Sequence, residues 1–385
     1  LPLADWKVHG SWTEAFGSRA KDLFWNRFQT CIEEVRLTMN SCRLIVLILT
    51  MVLLAASRGR AVEGEHQHVC RYCSGGLPAD SLGSKGATRK YAPDRQVAVL
   101  HIKLDVTPDF DASTIRGTAT IHFRNLARPL TTLRLDGVDL RVADVRSNRA
   151  VRDYAVGKSE IAIVFRETLE PDEEAWVEID YSAEPKRGLY FRTAAMGYPE
   201  GDDHLWTQGE PHESRHWYPC FDAPNERSST EVICRVPEGM TVLSNGRKTA
   251  ETTDPATGQK SVRWLQEHPH ANYLICIVAG YLEGVFDEHE DIPLAFYTQP
   301  SLAQYAESGF RDTAQIMAFY EQEIGVAYPW DKYYQATIAD FMWGGMENTT
   351  ITTLNQRAVF DDATENIYTN RGLDAHELAH QWFGN

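Results

Sequence analysis

Residues 96–106 read Gln96-Val97-Ala98-Val99-Leu100-His101-Ile102-Lys103-Leu104-Asp105-Val106. Val97, Val99, His101, Lys103 and Asp105 alternate with Ala98, Leu100, Ile102, Leu104 and Val106. Side chains of a strand point to opposite faces with period two, so this pattern predicts a strand with one buried face. Similar runs follow at 117–123, 132–135, 140–145, 160–165, 175–181 and 188–192, then at 230–236, 241–244, 261–265 and 273–280. Turn residues separate them at short intervals. Short strands at that spacing predict a β-rich saddle or sandwich domain, assigned to residues 91–284.

After Gly284 the texture changes. Phe310, Ala314, Met317, Tyr320 and Ile324 fall at helical spacing, so a helix is expected over 302–324. Strands are expected at 335–339 and 349–354, on either side of Gly344-Gly345-Met346-Glu347-Asn348. An Asp- and Asn-rich loop at 361–370 leads into a last helix. The fold class is therefore α+β, with residues 285–385 forming the opening of a second domain.

The chain has 385 residues, 43% of them hydrophobic, enough for two or three domains with their own cores. A net charge of −16 argues against a nucleic-acid partner, which selects a basic face. Residues 44–56, LIVLILTMVLLAA, are uncharged but too short for a stable membrane span, which takes about twenty residues. They fit the apolar centre of a secretory signal over 39–61, with Arg43 before it and small residues after it; a buried helix or a signal anchor is the alternative. On this reading Met39 is the start and 1–38 is an upstream extension, unless Phe24, Trp25, Phe28 and Ile32 mark a real amphipathic segment. The protein is then exported. Residues 62–90 read as a linker rich in Gly, Ser and Lys. Within it Cys70 and Cys73, near His66 and His68, suit a local disulfide, free thiols or a metal, with no second ligand pair of that spacing.

The chemistry is concentrated near the end. His376-Glu377-Leu378-Ala379-His380 is an H-E-x-x-H motif. On a helix the two imidazoles, four residues apart, project from one face and can share a zinc ion. A Glu beside the first His lies close enough to hold the metal's water and take its proton.

Several further stretches accompany it: Gly188-Leu189-Tyr190-Phe191, Thr207-Gln208-Gly209-Glu210, Pro219-Cys220-Phe221-Asp222-Ala223-Pro224, Asn272-Tyr273-Leu274, Tyr328-Pro329-Trp330-Asp331-Lys332-Tyr333, the block from Phe341 to Asn348, and His376 to Asn385. From about residue 91 to 385 the chain resembles the gluzincin aminopeptidases, the family of aminopeptidase N and leukotriene hydrolase. The resemblance implies a thermolysin-like catalytic domain after the β-rich one. It implies His376 and His380 as zinc ligands and Glu377 as general base. It makes Gly344, Gly345, Met346, Glu347 and Asn348 the exopeptidase segment, with Glu347 binding the substrate's α-amine. Glu210 becomes the second amine-binding acid, and Gln208 helps shape the first substrate pocket. Two carboxylates around one ammonium would set a register that admits only the first peptide bond. Arg215 and Asp222 are expected to be structural.

The family's third zinc ligand, a Glu on a following helix, and its oxyanion-stabilising Tyr would lie past Asn385. Two imidazoles leave zinc short of the three protein ligands usual in catalytic sites, so residues 1–385 alone are expected to bind zinc weakly and turn over little. The implied function is release of N-terminal residues from peptides with a free N-terminus. Two alternatives are a bifunctional epoxide hydrolase of the same family and a non-catalytic binding relative.

Overall fold

A computed structural model of the protein describes residues 95–385. The expected extension, signal, linker and Cys70–Cys73 pair lie outside the described residues. Residues 96–106 fall in strand β1 (Val97–Asp109), which pairs antiparallel with β2 (Thr114–Asn125). The alternation expected there is broken once. The register shifts between Val99 and His101, and such a bulge turns the following side chains to the other face. Val97 and Val99 are thus buried together with Ile102, Leu104 and Val106, rather than sharing a face with Lys103 and Asp105.

The chain continues through β3 (Leu130–Asp136), β4 (Arg141–Ser147), β5 (Val151–Val156), β6 (Glu160–Leu169), β7 (Glu174–Ala183), β8 (Leu189–Arg192) and β9 (His204–Thr207). Then come β10 (Arg227–Pro237), β11 (Thr241–Ser244), β12 (Arg247–Asp254), β13 (Gln259–Ala271) and β14 (Ile277–Gly280). These strands make a seven-stranded sheet in the order β12-β13-β10-β1-β2-β7-β4, a four-stranded sheet β11-β14-β9-β8 and a three-stranded sheet β3-β6-β5. Sequence patterning missed β12 because every side chain in it is exposed, as suits the edge of the large sheet. The strand expected at 273–280 begins late, since Asn272–Leu274 forms a 3-10 turn.

A five-stranded sheet follows: β15 (Glu283–His289), β16 (Ile292–Thr298), β17 (Tyr333–Ile338), β18 (Gly345–Met346) and β19 (Ile351–Asn355), ordered β15-β16-β17-β19-β18. The helix expected over 302–324 is interrupted. Pro300–Tyr305 is 3-10, followed by α1 (Ala306–Phe310) and α2 (Thr313–Ile324). The break falls between Phe310, which stacks on Phe296 at 4.8 Å, and Thr313, which bonds Asp374. Helix α3 (Arg371–Ala379) carries His376 and Glu377, with His380 as its C-cap.

The two ends of β17 serve different cores. Tyr333 packs with Leu294, Phe310, Met317, Leu373 and Leu378 on the helical side. Ala336 and Ile338 join Trp206, Trp264 and Ile277 of the β-rich part. Polar contacts also cross this junction. The Ala339 N–H donates to His204 Nε2 at 3.1 Å, and Asn245 Nδ2 donates to the Thr349 carbonyl at 2.7 Å. Arg215 and Asp222 are structural, as expected: Arg215 Nε donates to Asp222 Oδ2 at 2.8 Å, and Asn272 Nδ2 donates to Oδ1 at 3.3 Å.

Candidate active site

Helix α3 is tethered from outside. The Thr313 hydroxyl donates to Asp374 Oδ2 at 2.7 Å and Gln335 Nε2 to Oδ1 at 2.9 Å, while the Tyr320 hydroxyl donates to the Ala375 carbonyl at 2.8 Å. Leu373 and Leu378 anchor its buried side. One turn apart, the two imidazoles meet: His376 Nε2 and His380 Nε2 are 3.3 Å apart. Burial lowers the His376 pKa, His380 lowers it further and Glu347 opposes them. A neutral imidazole is the form that ligates a metal.

Strand β18 lies against this helix. Its backbone passes so near Glu377 that a Cβ on Gly345 would sit 2.5 Å from Oε1, so any larger residue there would displace the Glu377 side chain. β18 pairs antiparallel with β19, Gly345 opposite Leu354 and Met346 opposite Thr353. It is the outer strand of its sheet among the described residues. Directly after it, the Glu347 carbonyl accepts from Gln381 Nε2 at 3.2 Å and from Asn385 Nδ2 at 2.9 Å.

Glu210 comes from the β-rich side, just after β9. Gly209 lets it approach, because a Cβ there would lie 2.3 Å from the Tyr273 carbonyl oxygen. Much of Glu210 is exposed, yet its carboxyl end is partly desolvated. That desolvation raises its pKa most, the Glu347 charge adds to the rise, and His380 opposes it. Glu377 is 3% exposed. Burial first, then the charges of Glu347, Asp374 and Glu210, push it up to about 9. Among the described residues none of these three carboxylates has a cationic or hydrogen-bond partner of its own. They form a cluster of carboxyl groups with no cation beside them among the described residues.

The structure thus brings together Glu210, Glu347, Glu377, His376 and His380. Gln208, Met346 and Asn348 are buried behind them: Gln208 Nε2 lies 3.2 Å from Met346 Sδ, and Asn348 Nδ2 donates to Thr353 Oγ1 at 3.3 Å. Sequence reading missed Asp374, Gln381 and the site role of Tyr273. Asp374 precedes Glu377 by one helical turn on the same buried side, a signal that could have found it. Burial raises the Tyr273 pKa most, and the Glu347 and Glu210 charges add to the rise.

Two imidazole nitrogens facing one another fit half of a zinc site. Among the described residues no group of three or more His, Cys, Asp or Glu side chains is placed to hold one metal ion.

Comparison with known proteins gives the same picture. Residues 98–274 match the peptidase M1 N-terminal domain and residues 309–385 the peptidase family M1 domain. The chain is 25% identical to Aminopeptidase 2 of Candida albicans over 326 residues, covering 82% of this chain and 35% of that protein. It is 30% identical to Aminopeptidase N of Streptomyces lividans over 190 residues, 47% of this chain and 21% of that protein. It is also 30% identical to Glutamyl aminopeptidase of Bos taurus over 206 residues, 51% and 21% respectively. The chain spans about a third of the length of the curated relatives it matches over most of its own. With both domain models matched in order, and the β-rich sheets and the His376–His380 helix arranged as described, the chain belongs to the M1 family of peptidases.

Proposed function

We propose that this chain supplies the amine-binding and proton-handling parts of a zinc aminopeptidase that removes N-terminal residues from peptides. The observation that carries this reading is the convergence of Glu210, Glu347 and Glu377 without a cationic or hydrogen-bond partner among the described residues. Like charges held together call for a cation, and a peptide's α-ammonium provides one with three N–H donors. Seated between Glu210 and Glu347, it makes charge-assisted hydrogen bonds. It also opposes the charges that raise Glu377, favouring the ionised form a general base needs.

The outer edge of β18 suits the substrate backbone as an added strand. With the amine anchored at Glu347, the first peptide bond falls near Glu377 and the histidines. His376 and His380 would hold zinc, which when bound supplies Lewis-acid polarisation of the scissile carbonyl. Glu377 takes a proton from the attacking water and returns it to the leaving amine. With two imidazoles as the ligands that meet among the described residues, residues 95–385 alone should hold zinc weakly. The apolar run at 44–56 supports export of the protein.

The test uses the full-length protein with aminoacyl-arylamides. Release of the arylamine from free-amine substrates, and not from their N-acetyl forms, is expected. Equal cleavage of both would refute an amine-directed site.

A further inference from the structure

Lys332 is 3% exposed and pairs with no carboxylate among the described residues. Its ammonium lies 5.0 Å from the Trp264 ring centroid and 4.5 Å from that of Tyr334. A buried cation without a counter-ion is a liability for stability. Its hydrogen bonds indicate another role. Lys332 Nζ donates to the Thr350 carbonyl at 2.9 Å and to Thr350 Oγ1 at 3.0 Å.

Thr350 is itself unusual. It is fully buried with φ of 66°, a conformation that β-branched residues avoid. Such a residue persists only where its surroundings over-determine it. Here the Gly246 N–H donates to its hydroxyl at 2.8 Å, and the Tyr334 N–H donates to its carbonyl at 3.0 Å. Its own N–H donates to Gln381 Oε1 at 2.9 Å. Gln381 follows His380, is 1% exposed, and donates from Nε2 to the Glu347 carbonyl. One path of hydrogen bonds therefore runs from Lys332 through Thr350 and Gln381 to the backbone of Glu347.

We propose that Lys332 is a positioning residue which, through Thr350 and Gln381, fixes the Glu347 carboxylate against the His376–His380 helix. This rests on Glu347 binding the substrate amine. Lys332 touches no substrate. It holds the turn between β18 and β19 in the strained form that aims Glu347 into the cleft. Losing it frees the turn and blurs amine recognition, while the histidines, held by α3, stay in place.

The test compares full-length wild type, Lys332→Met and Thr350→Gly in binding L-leucinamide and isocaproamide, the same molecule without the α-amine. Glycine accepts a φ of 66° without strain, so Thr350→Gly provides a folded variant if Lys332→Met does not fold. In Lys332→Met the preference for the amine-bearing ligand should fall by about tenfold; in Thr350→Gly, which loses the hydroxyl that Lys332 and Gly246 hold but keeps the carbonyl and N–H of residue 350, it should fall by a smaller factor; binding of isocaproamide and bound zinc should be unchanged in both. The thermal midpoint of Lys332→Met should not fall, since methionine removes a buried charge. An unchanged preference, or equal weakening of both ligands, would overturn the positioning role. A wild type with no amine preference would overturn the amine-site reading and this proposal with it.

Discussion

The backbone of Gly345 lies against the carboxylate of Glu377, so closely that a methyl group there would meet Oε1 at 2.5 Å. This contact joins the two halves of the proposed chemistry. The strand that would receive the peptide is also the wall that sets the position of the base. Gly345→Ala should therefore push Glu377 aside while leaving the β18–β19 pairing intact. A displacement near 1 Å at a catalytic group can cost about a hundredfold in rate. Steady-state kinetics should show kcat falling by roughly that factor, with the unfolding midpoint little changed.

Glu210 and Glu347 should act together on substrate binding. A hydrogen bond to a charged group is worth about 2 kcal/mol, so Glu347→Gln or Glu210→Gln should raise KM for a free-amine substrate by roughly thirtyfold. The double variant should fall short of the product of the two, because in the proposed site both carboxylates hold one ammonium. KM values for the single and double variants decide this.

Lys332 gives a pH signature. Burial pushes it from 10.5 down to about 7, so the folded state disfavours its charged form. The destabilisation is complete below pH 7 and fades as pH rises toward 10.5, where the unfolded chain also loses the proton. Lys332→Met should thus gain stability at pH 6, by at most a few kcal/mol, and little at pH 10. Denaturant titrations at the two pH values measure it.

Arg215 offers a stability check away from the chemistry. Asp222 is buried and held by Arg215 and Asn272. Burial raises its pKa and the hydrogen bond to Arg215 opposes that rise. Arg215→Met would leave an uncompensated buried carboxylate and should cost about 3 kcal/mol near neutral pH. Chemical denaturation reads this directly.

Much of this was legible in the sequence, for identifiable reasons. The last helix could be read because H-E-x-x-H is a local pattern whose spacing sets a shared face. Most strands could be read from alternation. The alternation in β1 reads as unbroken in sequence, because a bulge is set by pairing with β2 rather than by residues 96–106 themselves. β12 and β15 were missed because all but one of their side chains are exposed and no apolar pattern marks them. The helix over 302–324 looked continuous because its apolar spacing spans a break imposed by Phe296 and Asp374, which are distant in sequence. The meeting of Glu210 with Glu347 came from family resemblance, since 137 positions separate them and only the packing of β9 beside the five-stranded sheet unites them. The path through Thr350 and Gln381 was invisible, because it depends on one left-handed threonine.

In the proposed amine-directed peptidase, Glu377 moves the proton. The most direct test of this is hydrolysis of a leucyl-arylamide by the full-length protein and its Glu377→Gln variant, with bound zinc measured in both. Cleavage only of the free-amine substrate is expected, with a loss of more than about a hundredfold in kcat for the variant and unchanged zinc. A variant that keeps its turnover, or a wild type that cleaves the N-acetyl substrate equally well, would contradict it.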